Sequence, residues 1–233
     1  MIDILLKLEQ FFSVYADKGA VWIPELLVAL KVTLTITFGS FVVGVLLGVC
    51  IAICRLSNSS IARRLGTVYV EITRGVPALV ILFLLYYGVV PFGLILDAIP
   101  TAIIAIGFTA GGYIAEIFRA AILSIHRGQR EAALTVGLTP LATYRYIILP
   151  QALRVAVPPL MNILVSLLKD SSLSSLISAP ELMLRARDIA AQDFMPLHVA
   201  ILVGVIYLLL SIPLSLLAAR LERYLGSGLR ARS

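Results

Sequence analysis

Five long apolar runs constrain this chain more than anything else in it. They cover roughly residues 26–54, 67–90, 98–122, 155–178 and 197–218, and the ~30 Å hydrocarbon core of a bilayer takes about 20 helical residues. Lipid offers no partner to an open N–H or C=O, so a spanning segment closes its backbone hydrogen bonds internally, as a helix does. A transmembrane barrel would need alternating segments of about ten residues, and the sequence has none. Of the 233 residues, 60% are hydrophobic and 14% charged, against about 25% charged in soluble domains. The expectation is an all-α, polytopic membrane protein with about five transmembrane helices. An external interfacial segment at 1–24 precedes a membrane domain at 25–222, and a cytoplasmic tail at 223–233 follows it.

Arginine placement orients the bundle. Arg55, Arg63 and Arg64 follow the first run; Arg119, Arg127, Arg130, Arg145 and Arg154 fall in the segment 119–154, from the end of the third run to the start of the fourth; Arg220, Arg223, Arg230 and Arg232 follow the last. Cytoplasmic loops concentrate such residues. The opposite loops hold Lys7, Lys18, Arg185 and Arg187 amid Asp3, Glu9, Asp17, Glu25, Asp97, Glu181, Asp188 and Asp193. The N-terminus is expected outside and the C-terminus in the cytoplasm, as an odd number of spans requires. This topology accounts for the net charge of +6 and removes nucleic acid as a partner, which would need a soluble basic face. Membrane lipid surrounds the chain instead. Cys50 and Cys54 read as small packing residues, since two thiols alone make a poor metal site. Asp3 and Glu9 stand where a secretory signal would be basic. Ile4, Leu5, Leu8, Phe11, Phe12 and Tyr15 recur at helical spacing, the pattern of a helix on the outer surface with Trp22 at headgroup level.

Within the spans, Thr33, Thr35 and Thr37 can bond back to their own helix and need not line a pore. Gly44 with Gly48, and Gly107 with Gly111, form small-xxx-small pairs that let helix backbones approach in lipid. Glu71 with Arg74, and Glu116 with Arg119, sit at i, i+3 and suit ion pairs at the cytoplasmic boundary. Pro77 predicts a kink or restart in the second span. Tyr86 and Tyr87 near its outer end suit interface anchoring, and Tyr86 is also a pathway candidate. The fourth span carries Asn162, Ser166, Lys169 and Asp170 at spacings of three and four, giving it one polar face. Ionisable residues at depth face a cavity or a partner. Both readings of Lys169 and Asp170, lining a pathway or neutralising other helices, stay open.

Lipid does not explain residues 131–150. Gly128 and Gln129-Arg130-Glu131 open a short helix, and Gly137 is placed to cap it in the left-handed conformation. Thr139 and Pro140 then start a second, as N-cap and first-turn residue, and Pro150 is expected to close it. Two helices this short are marginal in water, so something has to hold them.

Glu131, Ala132, Ala133, Gly137, Ile147, Leu149 and Pro150 fill, in register, a pattern that resembles the EAA loop of ABC importer permeases. The segments VEITRGVPALVILFLLYYG at 70–88, GGYIAEIFRAAILSI at 111–125 and SLLKDSSLSSLISAPEL at 166–182 resemble the polar amino-acid uptake branch of that family. The likeness runs from about residue 25 onward.

That resemblance implies a type I importer permease of the bacterial inner membrane, a five-helix core with a cytoplasmic coupling helix-turn-helix at about 127–151. The coupling loop would dock on an ABC ATPase through Arg130, Glu131, Ala132, Ala133, Gly137, Leu138 and Pro140, with Glu131 pairing a basic residue and Arg127 also in reach. Partners implied are ATPase subunits, a second permease subunit (a copy or a paralogue), a periplasmic solute-binding protein and a polar amino acid. ATP and Mg would be bound by the ATPase, since this chain lacks the G-x-x-x-x-G-K-[ST] phosphate loop. His126 and His198 are isolated, with no nucleophile–base pair and no metal-ligand spacing, so the chain reads as a non-catalytic subunit without a cofactor. In one departure, relatives often carry a polar residue after the fourth-span Asn, where Ile163 stands here. The alternative is a self-sufficient secondary carrier or channel. Such carriers often show inverted repeats, and five spans do not divide into equal halves.

Overall fold

The computed structural model describes residues 2–230, with side chains described for 6–225, and the described residues form helices and turns without a strand. The helices are α1 (Ile2–Leu56), α2 (Ser60–Gly75), α3 (Ala78–Tyr87), α4 (Ala98–Leu123), α5 (Arg127–Thr135), α6 (Pro140–Thr143), α7 (Leu149–Asp170), α8 (Leu182–Asp193) and α9 (Pro196–Arg230). Short 3-10 turns at Val90–Phe92 and Ser171–Ile177, and a π-turn at Tyr144–Ile148, complete the chain. Four segments are long and apolar enough to cross a membrane: Leu6–Leu56, Ala98–Leu123, Pro140–Ile177 and Pro196–Leu225. The fifth span is broken, because α2 and α3 meet at 102°. Pro77 has no N–H to continue the ladder, and its ring pushes the preceding residue out of helical geometry. Val76 accordingly sits at φ −101°, ψ 130°.

The core is α1 packed along α4. A Cβ added to Gly107 would lie 2.7 Å from Val43 Cβ, and one on Gly44 would lie 3.1 Å from Ala110 Cβ, so the small residues do set the approach of these helices. Ile36, Leu82, Ala105, Ile106 and Ile114 are buried in the seam. Thr35 and Thr37 donate to the carbonyls of Lys31 and Thr33 at 2.8 and 2.7 Å, consistent with hydroxyls satisfied inside their own helix.

Three expectations are revised. First, α1 runs through residue 24 without a break in its helix, so the N-terminal segment is continuous with the first span. Second, Trp22 is only 1% exposed, packed with Leu182, Ile189 and Val199 rather than presented on the protein surface. The reason is α8, a helix that folds back along α1 and supplies the indole with an acceptor, Asp193 Oδ2 at 2.6 Å. The Trp22 N–H and the Lys18 ammonium hold the Asp193 carboxyl below its ordinary range. Third, Pro150 does not end the second loop helix: α6, the π-turn and α7 form one continuous rod. In the π-turn the Leu149 N–H reaches back to Tyr144 O, a five-residue step that absorbs the donor proline lacks.

Candidate functional site

The break between α2 and α3 opens onto a cavity of about 430 Å³, walled by α4 and α7. Thr73, Arg74, Gly75, Val76, Pro77 and Ala78 form one side; Ile106, Thr109, Ala110 and Tyr113 form the second; Ile163, Ser166, Leu167 and Asp170 form the third. The α7 positions 163, 166, 167 and 170 share one helical face. Pro77 leaves the start of α3 without a side-chain cap, so a helix N-terminus with its partial positive charge borders the space. Arg74 sets its guanidinium 5.9 Å from the Tyr113 ring centroid and makes no ion pair among the described residues, so the expected Glu71–Arg74 couple does not form. Glu116 does pair with Arg119, at 3.0 Å, and is bridged on its other side by Arg55 of α1.

Of the pathway candidates, Ser166 and Asp170 line this cavity and Asn162, Lys169 and Tyr86 do not. Lys169 turns the other way, into a cleft with Arg187 and Tyr207, because successive residues on a helix point about 100° apart. Tyr86 packs against the α1–α4 core, edge-on to Tyr87 at 4.9 Å between ring centroids. Sequence reasoning missed Arg74, Thr109, Tyr113 and Ile163 as neighbours of Asp170. Pro77 was the available signal, since a span broken at mid-length exposes its ends to a cavity.

A second site lies in the α5–α6 hairpin. Gly137 adopts φ 84°, the left-handed cap expected of it, and Thr139 Oγ1 accepts from the Ala142 N–H at 3.2 Å. His126 caps α5 by accepting from the Gly128 N–H at 3.1 Å. Ala133 is buried, Leu138 and Ile147 are half-buried, while Arg130, Glu131, Ala132, Gly137 and Pro140 are exposed. Val136 and Leu141 are 78% and 79% exposed, an unusual display for apolar side chains beside a charged helix. Glu131 and Arg130 form no ion pair among the described residues. Beneath them a groove of about 570 Å³ separates α5 from the ends of α1 and α4.

Known proteins place this architecture. The glutamine transport system permease of Escherichia coli is 38% identical over 89% of this chain and 96% of its own length. The L-cystine transport system permease of Bacillus subtilis is 39% identical over 83% and 85%. A solved structure described as an amino acid ABC transporter with histidines superposes at TM-score 0.84, with 32% identity over 89% of this chain and 97% of that one. Residues 44–230 match the family described as the binding-protein-dependent transport system inner membrane component. The broken span, the five-span bundle and the exposed hairpin are thus those of a multi-pass inner-membrane permease, and the chain belongs to this family of ABC importer subunits.

Proposed function

We propose that this chain forms the amino-acid passage of an ATP-driven importer, and that the cavity at the α2–α3 break holds the substrate's zwitterion. The carrying observation is that Arg74 and Asp170, neither in an ion pair among the described residues, line one half-open cavity. Unpaired charges that face a cavity between membrane-spanning helices are expensive unless a ligand or water meets them. Arg74, with the uncapped start of α3, suits a carboxylate; Asp170, with Ser166, suits an ammonium. The solved neighbour's description and those of the relatives support an amino acid as the class of solute. Relatives of near-equal identity are described as carrying glutamine and L-cystine, so likeness alone does not choose the side chain.

Energy enters through the hairpin. Glu131, Arg130, Arg127 and the flanking Val136 and Leu141 form a surface for an ABC ATPase, which binds ATP and Mg and performs the hydrolysis. Because α6 runs through the π-turn into α7, displacement of the docked hairpin moves the wall that carries Ser166 and Asp170. A second permease subunit and an external solute-binding protein complete the assembly, with the N-terminus of this chain outside and its C-terminus in the cytoplasm. The ligand biases the cycle only through different affinity for the two states. The test is reconstitution: vesicles holding the permease with its ATPase should accumulate amino acid only with ATP inside the cytoplasmic compartment and binding protein outside. Accumulation by this polypeptide alone would instead select the secondary carrier.

A further inference from the structure

The cavity's charge inventory goes further than the class of solute. Resting on the reading of this cavity as the amino-acid site, we infer that it accepts substrates with uncharged side chains and that Ile163 is a specificity-determining residue. Among the lining residues Arg74 and Asp170 are the charged ones, one of each sign. The α-carboxylate and α-ammonium of an amino acid consume both. What remains for the side chain is apolar wall, from Ile106, Ala110, Ile163 and Leu167, with the hydroxyls of Thr109, Ser166 and Tyr113. Thr109 already donates to Ala105 O at 3.1 Å and has its lone pairs free, while Ser166 and Tyr113 make no hydrogen bond among the described residues. Those groups fit an amide, a hydroxyl or a short aliphatic chain. They offer no opposite charge to a guanidinium, a second ammonium or a second carboxylate.

Lys169, adjacent to Asp170 in sequence, lines the cleft toward α8 and α9 and not the wall of this cavity. A cationic or anionic side chain would leave one charge facing Ile163 and Ile106 without a partner, a penalty that lowers affinity about a hundred-fold or more. Ile163 sits on the same face of α7 as Ser166 and Asp170, so an acid placed there would supply the missing partner for a cationic side chain.

The test uses the purified permease–ATPase complex without binding protein, which would impose its own selection. Binding of radiolabelled L-glutamine, L-serine, L-leucine, L-arginine, L-lysine and L-glutamate is measured on the wild type and on the Ile163→Glu complex. The wild type should bind at least one neutral amino acid about a hundred-fold more tightly than any charged one. Ile163→Glu should raise affinity for L-arginine or L-lysine about ten-fold and weaken the neutral ligand. A wild type that binds a charged amino acid as tightly as the best neutral one overturns the inference while leaving the cavity as the site. So does an intact Ile163→Glu complex with an unchanged ratio. If Ile163→Glu fails to assemble, the wild-type panel decides alone. Loss of neutral binding in Asp170→Asn and Arg74→Gln is expected; a wild type that binds none of the six sinks the zwitterion site itself, and the side-chain inference with it.

Discussion

The end of the bundle where α8 packs on α1, the outer end in the proposed topology, and the α5–α6 hairpin treat their polar groups in opposite ways. At the outer end α1 is fastened to α8 and α9 by bonds that answer one another. Trp22 and Lys18 reach Asp193 at 2.6 and 3.0 Å, Arg185 reaches Glu25 at 2.7 Å, and Thr33 accepts the Leu182 N–H at 3.0 Å. Glu181, fully buried, accepts from the Leu184 N–H at 2.8 Å and from the Tyr207 hydroxyl at 3.3 Å. At the hairpin, Glu131 and Arg130 stand open beside Val136 and Leu141. His198 Nε2 at that end is buried without a hydrogen-bond partner among the described residues, but the charged groups of the clasp pair within the chain, and those of the hairpin do not. Between them lies the cavity, with one unpaired charge of each sign.

Four experiments break or sharpen that contrast. The largest effect is expected from Glu131→Lys, which should abolish substrate-stimulated ATP hydrolysis, a fall of about a hundred-fold or more for a reversed charge at an interface, with membrane insertion unchanged. Normal stimulated hydrolysis would mean the hairpin is not the docking surface. Next, Asp170→Asn in vesicles should reduce uptake about ten- to a hundred-fold by removing a charged partner, while Asn162→Ala, outside the cavity, should leave uptake near wild type. Equal losses would erase the distinction between the two faces of α7.

Glu181→Ala addresses the clasp. It removes the N-cap of α8 and leaves the Tyr207 hydroxyl and Leu184 N–H unmatched, a cost of about 2 kcal/mol that should lower the unfolding temperature without altering hydrolysis per folded complex. An unchanged unfolding temperature would show that the clasp contributes nothing. The smallest effect concerns pH. Asp193 has its carboxyl held below the ordinary value, so the stability it adds is fully present above the unfolded pKa of about 3.9 and is lost as pH falls through the lower folded value. Trp22 is the one tryptophan of the sequence, so its emission in the isolated permease should stay constant from neutral pH to about 4 and shift only below. A midpoint near neutrality would contradict the arrangement.

Legibility followed what each feature depends on. The spans, the glycine contacts of α1 with α4, the Gly137 cap and the Thr139 N-cap depend on local sequence, and each was readable. Trp22 was misread because its environment comes from α8, some 170 residues away, a partner that hydropathy does not reveal. Pro150 was misread as a stop because a π-turn, which shows no sequence signature, lets the helix pass it. The polar face of the fourth span was half right. Spacings of three and four were enough to group Ser166 with Asp170, but the depth of the cavity is set by the break at Val76–Pro77, and only the folded chain brings Arg74, Tyr113 and Ile163 to the same wall.

The central claim is that motion of the cytoplasmic hairpin reaches the cavity along the continuous α6–α7 rod. The direct measurement is thiol accessibility at Ser166→Cys, in a background with Cys50 and Cys54 replaced, using membrane-impermeant reagents on either side of vesicles containing the full complex. Trapping the ATPase with nucleotide and vanadate should move reactivity from the cytoplasmic to the outer side, and adding Glu131→Lys should abolish the change. Reactivity that stays on one side whatever the nucleotide state would contradict the account.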